Sequence, residues 1–173
     1  MLDLLLEPTT VFVRNGIKAF RASKEHQNLS IAVQDRIRRE VRFNAALLQE
    51  IMKFSENGNS VKKDEHICLT LIKALQTEAF DEINKGVLPL SLFFENQLAK
   101  EEIFPNWFEK NKFFDWMKKI YTQYDLLERV YHRIKLAKTF AEAGRLQGNM
   151  KYIQFMLIGF EKSIANTDLQ DQS

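Results

Sequence analysis

The sequence predicts an all-α fold, an up-and-down bundle of four main helices with additional short ones, and three observations carry that expectation. Phe113, Met117, Ile120, Tyr124, Leu127, Tyr131 and Ile134 recur at alternating steps of four and three, which draws an apolar seam down one side of a helix. Helix breakers are scarce, with 3 prolines and 6 glycines in 173 residues. No segment alternates apolar and polar residues with period two between turn residues, so no sheet is expected.

Each element follows from local pattern. A first helix is expected from Thr9 or Thr10 to Ser23, with Pro8 near its first turn and Val13, Ile17 and Phe20 facing inward. A second follows Ser30 as N-cap and reaches about Phe54, its stripe formed by Val33, Ile37, Val41, Ala45, Leu48 and Met52. By length it should rank second. Glu56-Asn57-Gly58-Asn59-Ser60 reads as a turn. A third helix runs from Asp64 to Gly86, a good residue just past a helix end, and buries Cys68, Ile72, Leu75, Ala79 and Ile83. Leu90 to Leu98 suits a short helix, and Ala99 to Trp107 an irregular connector. The seam then belongs to one long helix over about 107–143. Gly144 and Gly148 bracket a turn, and a last helix spans Asn149 to Ile164. Residues 1–165 make one domain, and the polar residues 166–173 read as a disordered tail.

Charge and composition exclude several classes of function. With 25 basic and 23 acidic side chains the net charge is +2, so no global field draws the chain to nucleic acid or anionic lipid. Cys68, the single cysteine, has no intrachain disulfide partner and sits among apolar neighbours, which fits a reducing, cytoplasmic setting. Asp3 and Glu7 stand where a secretion signal needs basic residues. The most apolar window, Met150 to Phe160, is about half the length needed to cross a bilayer, so no membrane span is expected. An amphipathic membrane-surface role for residues 2–20 is disfavoured by the same two acids. Phosphate loops, dinucleotide fingerprints, paired-cysteine and zinc-protease motifs are all missing, so neither cofactor nor metal is expected.

Local clusters remain to be weighed. Asp125, Glu128, Arg129 and His132 gather on the helix face away from the seam, where a carboxylate beside an imidazole suits acid–base chemistry and an Asp125–Arg129 pair suits a solvated surface. Arg38, Arg39 and Arg42 flank or oppose the apolar stripe of the second helix, and with Arg133 they form the candidate nucleic-acid surface. Asp35 and Glu40 dilute that cluster. Phe104, Trp107, Phe108, Phe113, Phe114 and Trp116 are dense enough for a stacking platform, though core packing needs the same bulk. Asn44 interrupts the stripe as a capping or register-setting polar residue.

Arg21-Ala22-Ser23-Lys24-Glu25-His26 resembles the Arg-x4-His pattern of helical nucleases of the HEPN superfamily. Over these six residues the resemblance implies His26 as general base and Arg21 as phosphate ligand. Ala22 departs from the polar residue common after the arginine.

The expected function is that of a non-enzymatic intracellular interaction protein, self-associating as a homodimer; the alternative is a nucleic-acid-binding protein or HEPN-like RNase. The last helix is apolar nearly all round, and Leu126, Leu136 and Phe140 lie off the seam of the long one. Pairing across a two-fold axis would bury that surplus, with Leu136, Phe155 and Ile158 as contact residues.

Overall fold

A computed structural model describes residue 16 and residues 18–56, 61–86, 88–105 and 115–170. In chain order these form α1 (Lys24–Glu56), α2 (Val61–Lys73), α3 (Glu78–Asn84), a 3-10 turn (Leu90–Phe93), and single turns α4 (Lys100–Ile103) and α5 (Asp115–Lys118). The long helices α6 (Gln123–Glu142) and α7 (Met150–Gln170) follow. Among the described residues β pairing is confined to one isolated bridge, Gln97 to Thr122, so the chain is all-α. The expected start of the first helix, the Asn57–Ser60 turn and most of the 104–116 aromatics lie outside the described residues.

Four helices pack as a cycle of neighbours, α1 on α2, α2 on α6, α6 on α7 and α7 back on α1. Their shared interior holds Ile37, Val41, Leu48, Ile72, Leu75, Leu127, Tyr131, Ile134, Met156 and Phe160. Most of these come from the predicted stripes, because a 3.6-residue repeat puts them on the covered side of each helix, while Ala45, Met52, Ile83 and Tyr124 of the same stripes are only partly buried. The surplus of apolar residues on α7 has an internal explanation. α1, α6 and α4 all pack against it, and Phe155 lies 4.6 Å, ring to ring, from Phe104.

Three expected elements need correction, each for an identifiable reason. The helix over 107–143 is interrupted between Lys118 and Gln123. Thr122 and Asp125 form a capping box there: Thr122 Oγ1 accepts from Asp125 N at 3.2 Å, and Asp125 Oδ2 accepts from Thr122 N at 2.9 Å. The neighbouring strand-like segment completes the collar, since Phe94 O and Asn96 O accept from Tyr124 N and Gln123 N, both at 2.9 Å. Free N–H groups at a helix start need such acceptors.

The third helix likewise divides into α2 and α3. Asn44, at 0% exposure, accepts from Gln76 N at 2.7 Å and donates to Gln76 O at 2.8 Å, so a side chain on α1 replaces the helical bonds that Gln76 would make. Lys138 of α6 donates to Leu75 O beside it.

The second helix starts earlier than Ser30 and, as α1, is the longest of those described. Ser23 is its cap, accepting from His26 N at 3.1 Å, and no glycine or proline interrupts 24–30. Two smaller differences concern ends. Only Leu90–Phe93 of the expected Leu90–Leu98 helix is helical, and α7 continues past Ile164 to Gln170, into the segment read as a tail.

Candidate functional site

The turn between α6 and α7 closes one end of a concavity. α6 ends in a Schellman motif: Arg145 N donates to Phe140 O at 2.9 Å and Gly144 N to Ala141 O at 3.0 Å, with Gly144 at φ 70°. Gly148 at φ 123° then turns the chain into α7, whose start is capped by Asn149 Oδ1 accepting from Tyr152 N at 3.0 Å. A side chain at 148 would also meet Met150 Cε at 2.8 Å.

Between the two helices and this turn lies a cleft of about 270 Å³. Arg129 and Arg133, one helical turn apart, form its basic edge, and Leu136, Ala137, Phe140 and Ile153 its apolar floor. Gln147, Gly148, Asn149 and Tyr152 complete the wall, and no carboxylate lines it. Arg129 Nε donates to Tyr152 Oη at 3.3 Å. Burial pushes the Tyr152 hydroxyl above its ordinary pKa, while the hydrogen bond from Arg129 and the charges of Arg129 and Arg133 pull the other way. Both guanidinium groups thus act on one hydroxyl. Arg133 is exposed and joins no ion pair among the described residues.

Asp125, Glu128, Arg129 and His132 do gather, with Lys119 and Ile120, around a second depression of about 410 Å³. Their roles are structural where bonds exist. Burial pushes the Asp125 carboxyl up, but the N–H groups of Tyr121 and Thr122 and the Thr122 side chain outweigh it and hold the pKa below the usual range. Glu128 Oε1 accepts from the Tyr124 hydroxyl at 3.1 Å. His132 is exposed and bonds to neither acid.

The Arg21–His26 pair straddles a break rather than one helix end. Arg21 pairs with Glu95 at 2.8 Å, and the His26 ring lies between Phe20, 5.1 Å away edge-on, and Phe93, stacked at 5.8 Å. The arginines of α1 are also distributed. Arg42 pairs with Glu161 at 2.7 Å, Arg36 pairs with Glu82, Arg39 Nε donates to Asp35 O at 3.3 Å, and Arg38 is half-buried. Arg133 lies on α6, on the α7 side. Of the oligomer candidates, Leu136 lines the cleft at 40% exposure; Ile158, at 41%, shares the outward strip of α7 with Lys151, Lys162 and Ala165. Phe155 belongs to the Phe104 contact, so the three do not form one patch.

Sequence reasoning set Glu40 among the charges that dilute the arginine cluster, whereas it is buried at 5% exposure and accepts from three donors. Its position three after Ile37 and one before Val41, on the flank of the stripe, was the available signal. Among the described residues no cluster of three His, Cys, Asp or Glu side chains could hold a metal, and no helix is long and apolar enough to cross a membrane. No family model, curated protein or solved structure matches this chain.

Proposed function

We propose that this chain is a non-enzymatic helical interaction protein, built on an up-and-down order of its four long helices, that receives a protein partner in the α6–α7 cleft. The supporting observation is the cleft itself: two guanidinium groups and no carboxylate above a floor of Leu136, Ala137, Phe140 and Ile153. Arginine and aromatic side chains, here Arg129, Arg133, Phe140 and Tyr152, are among those enriched at protein interfaces. The bonded roles of Asp125, Glu128 and Arg21 favour binding over acid–base catalysis. The proposed setting is the cytoplasm, where a lone cysteine used as a small hydrophobe stays reduced.

A photo-crosslinking residue at Gln147, on the exposed rim, tests this in the native cell, with the same residue at Lys162 as the control. Adducts at Gln147 that vanish in Leu136→Asp are expected. Equal adducts at both positions would remove the cleft from the reading.

Self-association is a second form of the proposal, favoured by the exposure of Leu136 and Ile158. Light scattering at micromolar concentration should then give twice the 20.4 kDa chain mass. A single-chain mass unchanged on dilution would sink it. The nucleic-acid alternative draws less support, because Arg42 is already paired with an acid and Arg38 is half-buried.

A further inference from the structure

The chemistry of the cleft narrows what part of a partner it can take. Arg133 extends from α6 one turn before Leu136 and Ala137, so a cationic donor stands beside apolar side chains within one short span. A guanidinium presents parallel N–H donors that match a carboxylate in two-point geometry, and it stays charged at every physiological pH. The Tyr152 hydroxyl accepts from Arg129 and so holds the second guanidinium at the cleft wall. No acid lines the cleft, and Arg133 joins no ion pair among the described residues.

Size limits the apolar part. The cleft of about 270 Å³ lies just below the usual range for small-molecule pockets, roughly 300–1,000 Å³. It suits one branched aliphatic side chain with the charged group attached to the same residue. A helix laid along the surface would offer its carboxylate and its apolar side chain from different turns; a chain terminus offers both from a single Cα. The turn that closes the end of the cleft adds the Gln147 side chain, whose amide suits the last peptide group of such a terminus.

We propose that the α6–α7 cleft captures the C-terminal residue of a partner chain, its carboxylate on Arg133 and its apolar side chain on Leu136, Ala137, Phe140 and Ile153. This rests on the partner-binding reading above and names the group recognised.

Amide-resolved NMR with N-acetyl-leucine as the probe tests it, because that molecule carries the carboxylate, side chain and last peptide group of a chain ending in leucine. Saturable shifts at Gly148, Asn149 and Tyr152 are expected. N-acetyl-leucinamide should bind about tenfold or more weakly, as should N-acetyl-leucine to the exposed-site variant Arg133→Gln, since each loses a charge-assisted bond. Rescue by Arg133→Lys should be partial, because lysine restores the charge without the two-point geometry. Acid and amide shifting the cleft equally would overturn carboxylate recognition while leaving the cleft a binding site. Equal binding of 4-methylpentanoate would replace a chain terminus by a simple aliphatic acid. A cleft that responds to none of these probes would overturn the inference, while Gln147 adducts that vanish in Leu136→Asp would still support partner binding.

Discussion

The hydroxyl of Tyr131 donates to Oε1 of Glu40 at 2.7 Å across the interior, joining α6 to α1. The same carboxylate accepts from the backbone N–H groups of Ala79 at 2.8 Å and Phe80 at 3.2 Å, in the first turn of α3. Phe80 closes the assembly by stacking on Tyr131 with ring centroids 4.3 Å apart. One buried acid therefore ties three helices, and the helix start supplies the N–H groups and the dipole that an anion favours. Burial pushes the Tyr131 hydroxyl pKa far up, reinforced by the charge of Glu40 and by donation to it, so the phenol stays protonated as donor.

Removing the hydroxyl in Tyr131→Phe should cost about 1.5–3 kcal/mol, the range for a hydrogen bond to a charged group. Glu40→Ala should cost more, about 3 kcal/mol or above, because it leaves three donors unsatisfied at about 1–3 kcal/mol each. Urea denaturation of both variants checks the order. A Tyr131→Phe loss as large as that of Glu40→Ala would place the stabilisation in ring packing instead.

The start of α6 makes a separate prediction. Thr122→Ala should destabilise by about 0.5–2 kcal/mol through loss of the cap. The depressed pKa of Asp125 means that the folded state favours its charged form. Its stabilising contribution is complete above the ordinary carboxylate range and disappears as pH falls through the lowered folded value. Asp125→Asn should accordingly narrow the stability difference between neutral and strongly acidic solution, measured by denaturation at each pH. An unchanged difference would mean that the capping box does not persist in solution.

Gly159→Ala reverses the usual expectation for a helix interior. Alanine normally gains about 1 kcal/mol over glycine there. A Cβ at 159, however, would approach the Phe104 ring to 2.4 Å and Ile103 Cγ2 to 3.2 Å. Phe104 is itself held against Phe155, so we expect a net loss of about 1–3 kcal/mol from overpacking. A raised melting temperature would show that the α4 turn yields easily.

Leu127→Ala and His132→Ala separate the two sides of α6. Leu127 is 0% exposed, and its truncation should cost about 2–5 kcal/mol. His132 faces solvent and should change stability by less than about 0.5 kcal/mol. The reverse ordering in thermal melts would require the helix to be turned by half a circle.

The contrast between these residues shows what was legible before the structure. Leu127, Tyr131 and Ile134 could be placed inside because burial leaves a periodic trace along one chain segment. That trace misled over the break at 119–122, since Met117 and Ile120 face the same interior as Leu127 and keep the spacing intact across it. The Thr122-x-x-Asp125 motif was readable and marks the true start. The division of α2 from α3 was not readable in this way: it depends on Asn44, 32 residues before Gln76, and local propensity has no access to that contact. The cleft belongs to the same category. Arg133 and Leu136 were each noted for separate reasons, and only the turn that returns α7 beside α6 makes them neighbours of Tyr152.

The pairing of Arg42 with Glu161 joins positions 119 residues apart, on helices that also pack along one another. A ribosome adding about 5–20 residues per second needs roughly 6–24 s to traverse that interval. Throughout it the nascent chain holds α1 with its α7-facing side unclosed, whatever local helix has formed. That side is therefore the part of α1 left uncovered longest during synthesis, and the emergence of α7 is the event that covers it.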